Sequence, residues 1–261
     1  MKTVTAASHR RNSGQVLIIT SLIVVMLLLS TVIYVTETQR NSPVYENGAD
    51  PAFSAIRQGA LHTVISALAN ISRGGAASVL VTDLNLFESA ITSHSASAIL
   101  NVDVTPLNTA TYQNGTWISW GSSGEGVSSA YVSFEVNSTH PAATHYAEFA
   151  VNVTSRIVVG GFYEQLTGAS KEVNLTCTVS NKGEAALAQN LTVYYERDGS
   201  LSPEEWIQAA SVATIDYGNG TYLMSFTAKT DQRSNPMLVS VHCTDLRGIF
   251  VRANATCTLV G

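Results

Sequence analysis

Charged residues are scarce in this chain, as are cysteine and proline. Of its 261 residues, 13% are charged and 45% are apolar, and there are only three cysteines and six prolines. A chain of this composition can bury a hydrophobic core, which excludes a disordered protein.

Local signatures of catalysis are also missing. The sequence has no Gly-x-Ser-x-Gly elbow, no phosphate-binding loop before a helix and no His-x-x-x-His spacing. His140 and His145, close to Glu148, fall on opposite faces if they belong to one strand. The glycine-rich run 121–126 leads into a strand and predicts a mobile hairpin. We therefore expect no catalytic residue, no metal ion and no cofactor, and a protein that is not an enzyme.

Charge is divided unevenly along the chain. Residues 1–40 carry four Lys or Arg and one Glu, a net charge of +3, whereas residues 41–261 carry ten basic and eighteen acidic residues, a net charge of −8. An acidic region without a basic patch excludes nucleic acid as a partner.

One long hydrophobic run stands near the N-terminus. Val16–Val35 is uncharged and mostly aliphatic, and Lys2, Arg10 and Arg11 precede it. Twenty helical residues at about 1.5 Å each match a hydrocarbon core of about 30 Å. The basic flank should stay in the cytoplasm, so everything after the run should be extracellular. We expect a basic segment at residues 1–14, a transmembrane signal-anchor in contact with membrane lipid at 15–36, and a polar stalk at 37–50.

A cleaved secretory signal is the alternative to an anchor. Such signals have a hydrophobic stretch of about 7 to 15 residues followed by a small-x-small cleavage site. The run in this chain is longer, and no such site stands at its end, Ile33-Tyr34-Val35. The sequence therefore favours a permanent anchor.

Sequons for N-glycosylation are frequent. Chance in a Ser/Thr-rich chain is the alternative explanation, but within strand-like stretches the sequon Asn falls on the polar parity and should point to solvent, as at Asn137, Asn152 and Asn174. We expect a glycoprotein, with Asn-x-Ser/Thr at Asn70, Asn114, Asn137, Asn152, Asn174, Asn190, Asn219 and Asn254.

Residues 51–155 predict an α+β domain next to the membrane. Apolar residues recur at helical spacing from Phe53 to Leu68 and again from Leu80 to Ile91, which indicates two amphipathic helices. Antiparallel strands are expected to follow as a meander, near residues 98–105, 109–113, 116–120, 127–137 and 144–159.

Residues 156–261 predict an all-β domain. Seven short strands separated by Gly-, Asn- and Asp-rich turns are typical of an immunoglobulin-like sandwich. They are expected near residues 157–164, 171–180, 189–196, 205–212, 221–230, 237–244 and 249–259.

Each of the three cysteines falls on an inward-facing parity of this expected sandwich. Cys177 and Cys243 are spaced for a bridge between its two sheets, so we expect a disulfide between them. A Cys177–Cys257 bond and three buried free thiols are the alternatives. Counting residues outwards from the turn at Leu246-Arg247 predicts that Cys257 lies opposite about residue 236 in the last hairpin.

Two stretches resemble known families. The segment from Val173 to Gly199 is similar to CARDB-like and related immunoglobulin-type adhesion domains of archaeal and bacterial surface proteins. The N-terminus, with Arg10-Arg11 and Gly14-Gln15 before the hydrophobic run, resembles type IV pilin-like or TadE-like secretion substrates. These resemblances imply a surface protein with a structural or adhesive role.

The sequence as a whole predicts a single-pass cell-membrane protein with a cytoplasmic N-terminus and a glycosylated ectodomain. Its role is expected to be structural or adhesive, pilin-like or associated with a secretion system, with a protein or glycan partner at the cell surface. An exported hydrolase with a site assembled from loops, or a ligand-binding accessory subunit of a transporter or sensor, is the alternative. An enzyme would need titratable groups that converge in a pocket.

Overall fold

The computed structural model of the protein describes residues 51–94, 99–140, 143–199 and 206–260. No helix within these ranges is long and apolar enough to cross a membrane. The hydrophobic run 15–36, the basic segment before it and the stalk at 37–50 lie outside the described residues.

Two helices and twelve strands make up the described chain. The helices are α1 (Pro51–Ser72) and α2 (Val79–His94). The strands are β1 (Ile99–Pro106), β2 (Thr116–Trp120), β3 (Glu125–His140), β4 (Ala143–Gln165), β5 (Ser170–Asn181), β6 (Glu184–Ala185), β7 (Ala188–Glu196), β8 (Trp206–Gln208), β9 (Ala213–Asp216), β10 (Thr221–Lys229), β11 (Met237–Asp245) and β12 (Phe250–Leu259). The expectation of a β-rich protein with two helices is confirmed.

The helices cover one face of the sheet that β1, β3 and β4 form. β3 pairs antiparallel with β1 and β2 on one edge and with β4 on the other. Ala60, Val64 and Leu68 of α1 are fully buried, and they share one core with Leu80 of α2 and Phe134 of β3. The helical spacing in the sequence thus marks the buried faces of both helices.

A second core lies between two groups of four strands. One group has the order β9-β10-β5-β4, the other has the order β8-β7-β11-β12, and β12 runs parallel to β4 where the groups meet. Alternating residues from six of the longer strands fill this core, among them Val159, Leu175, Val193, Met224, Val241 and Val251.

Strand β4 belongs to both cores. Val151 and Val153 contribute to the helix-covered core, whereas Ile157 and Val159 contribute to the core between the two strand groups. Two separate strands were expected at 144–159 and 157–164, so this expectation is wrong. The domain boundary expected between residues 155 and 156 falls inside this strand.

Two further local predictions are wrong, and one short strand was not predicted. Residues 109–113 form a turn, because the Thr109 hydroxyl accepts hydrogen bonds from the backbone amides of Thr111 and Tyr112 and so competes with strand pairing. The strand expected at 205–212 is observed only at β8; Ser211, which follows it, has a φ of 54°. The short edge strand β9 was not predicted, since its four residues are all exposed and carry no alternation.

Candidate functional site

The three cysteines lie in the core between the two strand groups. Cys177 is on β5 and Cys243 is on β11, in facing groups, and both are fully buried. All three cysteines are free thiols in this structure, so the predicted disulfide between Cys177 and Cys243 is not formed. Strand alternation correctly placed both side chains inside, but the distance between their sulfur atoms depends on how the two strand groups pack.

Burial makes these thiols chemically inert. It raises the pKa of Cys177 and of Cys257 to about 12. The pKa of Cys243 is raised further, by burial first and then by the proximity of Cys177 and Asp245. Because the thiolate is the reactive form, none of the three is suited to be a nucleophile.

The glycine-rich hairpin is part of the packed structure and is not the mobile loop that the sequence predicted. The backbone amide of Gly124 donates to the carbonyl of Asn254 at 2.8 Å, and the Gly124 carbonyl accepts from the Val159 amide at 2.7 Å. A Cβ atom on Gly126 would lie 1.9 Å from the carbonyl oxygen of Arg252. Gly126 is therefore needed because β12 approaches the hairpin backbone closely there.

The two histidines singled out in the sequence lie on different strands. His140 ends β3 and His145 lies in β4, so a hairpin separates them, and the sequence argument that placed them on one strand is wrong. No cluster of three or more His, Cys, Asp or Glu side chains suited to a metal ion is present among the described residues.

A pocket of about 430 Å³ lies beside β10, next to the start of β9. Glu172 is the one ionisable residue among those that line it; the others include Ser211, Ser225, Phe226 and Thr227. A pocket with a single carboxylate does not bring together the acid, base and nucleophile that hydrolysis requires.

A row of rings follows the outer face of β7, β11 and β12. The ring centroids of Tyr194 and His242 are 4.6 Å apart, and His242 meets Phe250 edge-on at 5.4 Å. Trp120 packs edge-on against Phe250, with the Arg252 guanidinium 5.0 Å from the Trp120 ring centroid. Burial, and secondly the charge of Arg252, lowers the pKa of His242 to about 4, so this ring is neutral at physiological pH.

All eight sequon asparagines are described, and none is buried. Asn137, Asn152 and Asn174 lie on outward faces of their strands, as the parity argument predicted, but they are only half-exposed because neighbouring strands flank them. Asn254 is also partly exposed, and the exposed ones are Asn70, Asn114, Asn190 and Asn219.

A second aromatic cluster lies on the outer face of β2 and β3, beside one of these asparagines. Tyr112 meets Trp117 at 5.9 Å and Tyr131 at 6.3 Å, in both cases edge-on. In the strand register, Tyr131 is directly opposite Asn152. Local sequence pattern does not connect these residues, because the pairing of β3 with β4 is what brings them together.

A chain of hydroxyl groups orients the side chain of Asn152. The hydroxyl of Tyr112 is 2.9 Å from the Oγ of Ser129, which is 2.7 Å from the Oγ1 of Thr154. Thr154 Oγ1 in turn donates to Asn152 Oδ1 at 3.1 Å. This last bond turns Oδ1 towards the sheet and directs Nδ2, the atom that carries an N-linked sugar, away from Thr154.

No protein-family model matches this chain, and no curated protein matches it significantly. The chain's own residues offer sequons that are not buried and partly exposed aromatic rings on the outer faces of the sheets.

Proposed function

We propose that this protein is a single-pass, membrane-anchored and N-glycosylated cell-surface protein with a structural or adhesive role. The observation that carries the proposal is that all eight sequon asparagines reach the surface of a fold with two extensive cores. A glycan cannot be attached to a buried asparagine. Because none of the eight is buried, every sequon is compatible with glycosylation of the folded protein.

The strand order supports the finer assignment of the C-terminal part as an immunoglobulin-like sandwich. Groups ordered β9-β10-β5-β4 and β8-β7-β11-β12, with β4 parallel to β12, match the two sheets of that fold. In this correspondence β5, which carries Cys177, and β11, which carries Cys243, are the second and sixth strands of the immunoglobulin fold. Such sandwiches serve many surface proteins as rigid adhesion modules, and the resemblance of residues 173–199 to adhesion domains agrees with this role.

The pairing of strands supports a rigid ectodomain. β4 passes through both cores, and the 121–126 hairpin forms hydrogen bonds to both β4 and β12. A force applied at one core is therefore transmitted to the other through strand hydrogen bonds, which suits a structural or adhesive element. The alternative, an exported hydrolase, draws no support from a pocket whose one ionisable residue is Glu172.

The anchor can be tested by replacing Val25 and Leu27 with lysine in the full-length chain. Each charge near the centre of a membrane helix costs about 2.5 to 3.5 kcal/mol on insertion scales, so the variant should leave the membrane fraction. The control is the N41K/S42K variant, which adds the same charge outside the hydrophobic run and should remain membrane-bound. A wild-type chain recovered in the soluble fraction, with a mature N-terminus beyond Thr36, would refute the anchor.

Surface exposure is tested separately on intact cells. A protease added outside should degrade the ectodomain, while a tag fused before Met1 should remain protected. Cells that lack the protein should lose envelope integrity or cell–cell attachment. Normal attachment and envelopes in such cells, together with hydrolytic activity of the purified chain, would favour the enzyme.

A further inference from the structure

Strand pairing places an aromatic ring opposite each sequon asparagine of β3, β4 and β5. Residues directly opposite on neighbouring strands share a face and have Cβ atoms about 5 Å apart. Aromatic residues make up only 8% of the chain, so three such pairings are not expected from composition. The pairs are Asn137 with Tyr146, Asn152 with Tyr131, and Asn174 with Phe162.

The exposed aromatic side chains of the described residues are all close to sequons. Tyr146 is 58% exposed, Tyr217 is 56% exposed and Phe162 is 42% exposed, and the other Phe, Tyr and Trp side chains whose burial is described are more buried. Tyr146 and Phe162 face sequon asparagines across their strands. Tyr217 precedes Asn219 by two residues. These rings are apolar surface that the polypeptide leaves uncovered.

A tyrosine precedes the sequon by two residues in two tight turns. Tyr112 and Tyr217 each begin the motif Tyr-x-Asn-Gly-Thr. Asn114 has a φ of 50°, a left-handed backbone conformation that helps to reverse the chain in the first turn. In the second turn, Asn219 Oδ1 accepts the backbone amide of Thr221 at 3.1 Å, which fixes the carboxamide. Both asparagines are exposed, so a sugar on either would stand at the same hairpin end as its tyrosine.

We propose that the sugars attached at these sequons pack their apolar faces onto the neighbouring aromatic rings, so that the glycans cover and stabilise the outer faces of the sheets. The proposal rests on the proposed function, since it requires an exported, glycosylated protein. An aromatic ring buries a large apolar area at little conformational cost, and a pyranose offers a flat C–H face that matches it. The glycans are thus a covering layer of the fold as well as a solubilising coat.

The pair Asn174 and Phe162 offers the sharpest test, because Phe162 has no hydroxyl group of its own that could bind the sugar. The experiment uses full-length protein purified in detergent from a host that glycosylates it. Thermal unfolding is measured for the wild type, N174Q, F162S and the double variant, and glycopeptide mass spectrometry confirms that Asn174 remains occupied in F162S. The same four proteins from a host without glycosylation give the effect of the substitutions alone.

Loss of the glycan should lower the midpoint of unfolding by about 2 to 4 °C when Phe162 is present, and by less than about 1 °C in the F162S background. The matched control is Asn190, whose opposite residue is Thr244. N190Q should change the midpoint of unfolding by less than about 1 °C, both in the wild type and in the F162S variant. The same comparison of single and double variants applies to N137Q and Y146S.

The outcomes distinguish the packing proposal from the surface-glycoprotein proposal. If Asn174 is glycosylated and N174Q has the same effect with and without Phe162, the packing proposal is overturned and the surface-glycoprotein proposal stands. If Asn137, Asn152 and Asn174 all carry no sugar in protein from the native membrane, the packing proposal fails together with glycosylation of these strands.

Discussion

The buried carboxylate of Asp245 is held by the guanidinium of Arg247, two residues further along the chain, at 2.8 Å between Oδ2 and Nη2. Asp245 Oδ1 also accepts the backbone amides of Arg247 and Ile249. The same Nη2 atom donates to the carbonyl of Thr154 in β4. This turn therefore fastens the β11–β12 hairpin to the strand that both cores share.

Asp245→Asn should destabilise the protein by about 3 kcal/mol. Asparagine fits the space but leaves the Arg247 guanidinium without its counter-charge in a partly buried position, and breaking a buried pair costs roughly 3 to 5 kcal/mol. Denaturant unfolding followed by tryptophan fluorescence measures the change. The control is E125Q, which breaks the Glu125–Arg156 pair; both side chains are almost half-exposed there, so the cost should stay below about 1 kcal/mol. Equal losses in the two variants would contradict the buried turn.

Gly126→Ala should cost about 2 kcal/mol or more, because a Cβ atom at this position would clash with the Arg252 carbonyl and force β12 away from the hairpin. Gly160→Ala is the matched control on β4, since a Cβ atom there would meet nothing within 4 Å. It should change stability by less than about 0.5 kcal/mol. If the hairpin were mobile in solution, both alanine variants would unfold at the wild-type denaturant concentration.

His242 should titrate near pH 4, well below the ordinary value of 6.5. Between these two values the unfolded chain binds the additional proton, so His242 makes the folded state lose stability as the pH falls from about 6.5 to 4. The partial exposure of the ring reduces the size of this effect. NMR titration of the imidazole gives the midpoint, and H242Q should show a smaller loss of stability over this pH range than the wild type. A midpoint at or above 6.5 would contradict the observed packing against Tyr194 and Phe250.

The three cysteines should resist alkylation in the folded protein at pH 8 and react fully after denaturation, because burial holds their pKa values far above this pH. Thr178→Cys supplies the control, since residue 178 lies beside Cys177 on the exposed face of β5 and outside the Asn174 sequon. It should react within the time that leaves the native thiols unmodified. Recovery of a peptide in which Cys177 and Cys243 are linked would show that the protein in its own compartment departs from the free-thiol state.

Much of the fold could be predicted from local pattern. The helical spacing of Ala60, Val64 and Leu68 identified the buried face of α1, and alternation along β5 identified Cys177 as a core residue. The turn at Leu246-Arg247 set the register of the last hairpin closely: Cys257 is opposite Met237, one residue from the predicted position. Each of these predictions depends on residues only a few positions apart, which the periodicity of helices and strands relates directly.

The candidate sites could be predicted only in part. Sequence identified the sequon asparagines and the outward parity of Asn137, Asn152 and Asn174. It could not identify the rings opposite them, because a strand's neighbours are decided by pairing between distant segments. Gly126 was misinterpreted for a similar reason: the backbone that requires a glycine there belongs to Arg252, more than a hundred residues later in the chain.

By itself, the sequence determined the chemical inventory and the local elements: a scarcity of charge, sequons, two amphipathic helices and a series of alternating strands. Only the tertiary structure decided that β4 serves two cores, that the glycine-rich hairpin packs against β12, and that aromatic rings stand opposite glycosylation sequons. The physical reason is that local periodicity fixes which face of an element is buried, whereas the partner of that face is chosen by packing and hydrogen bonding over the whole chain.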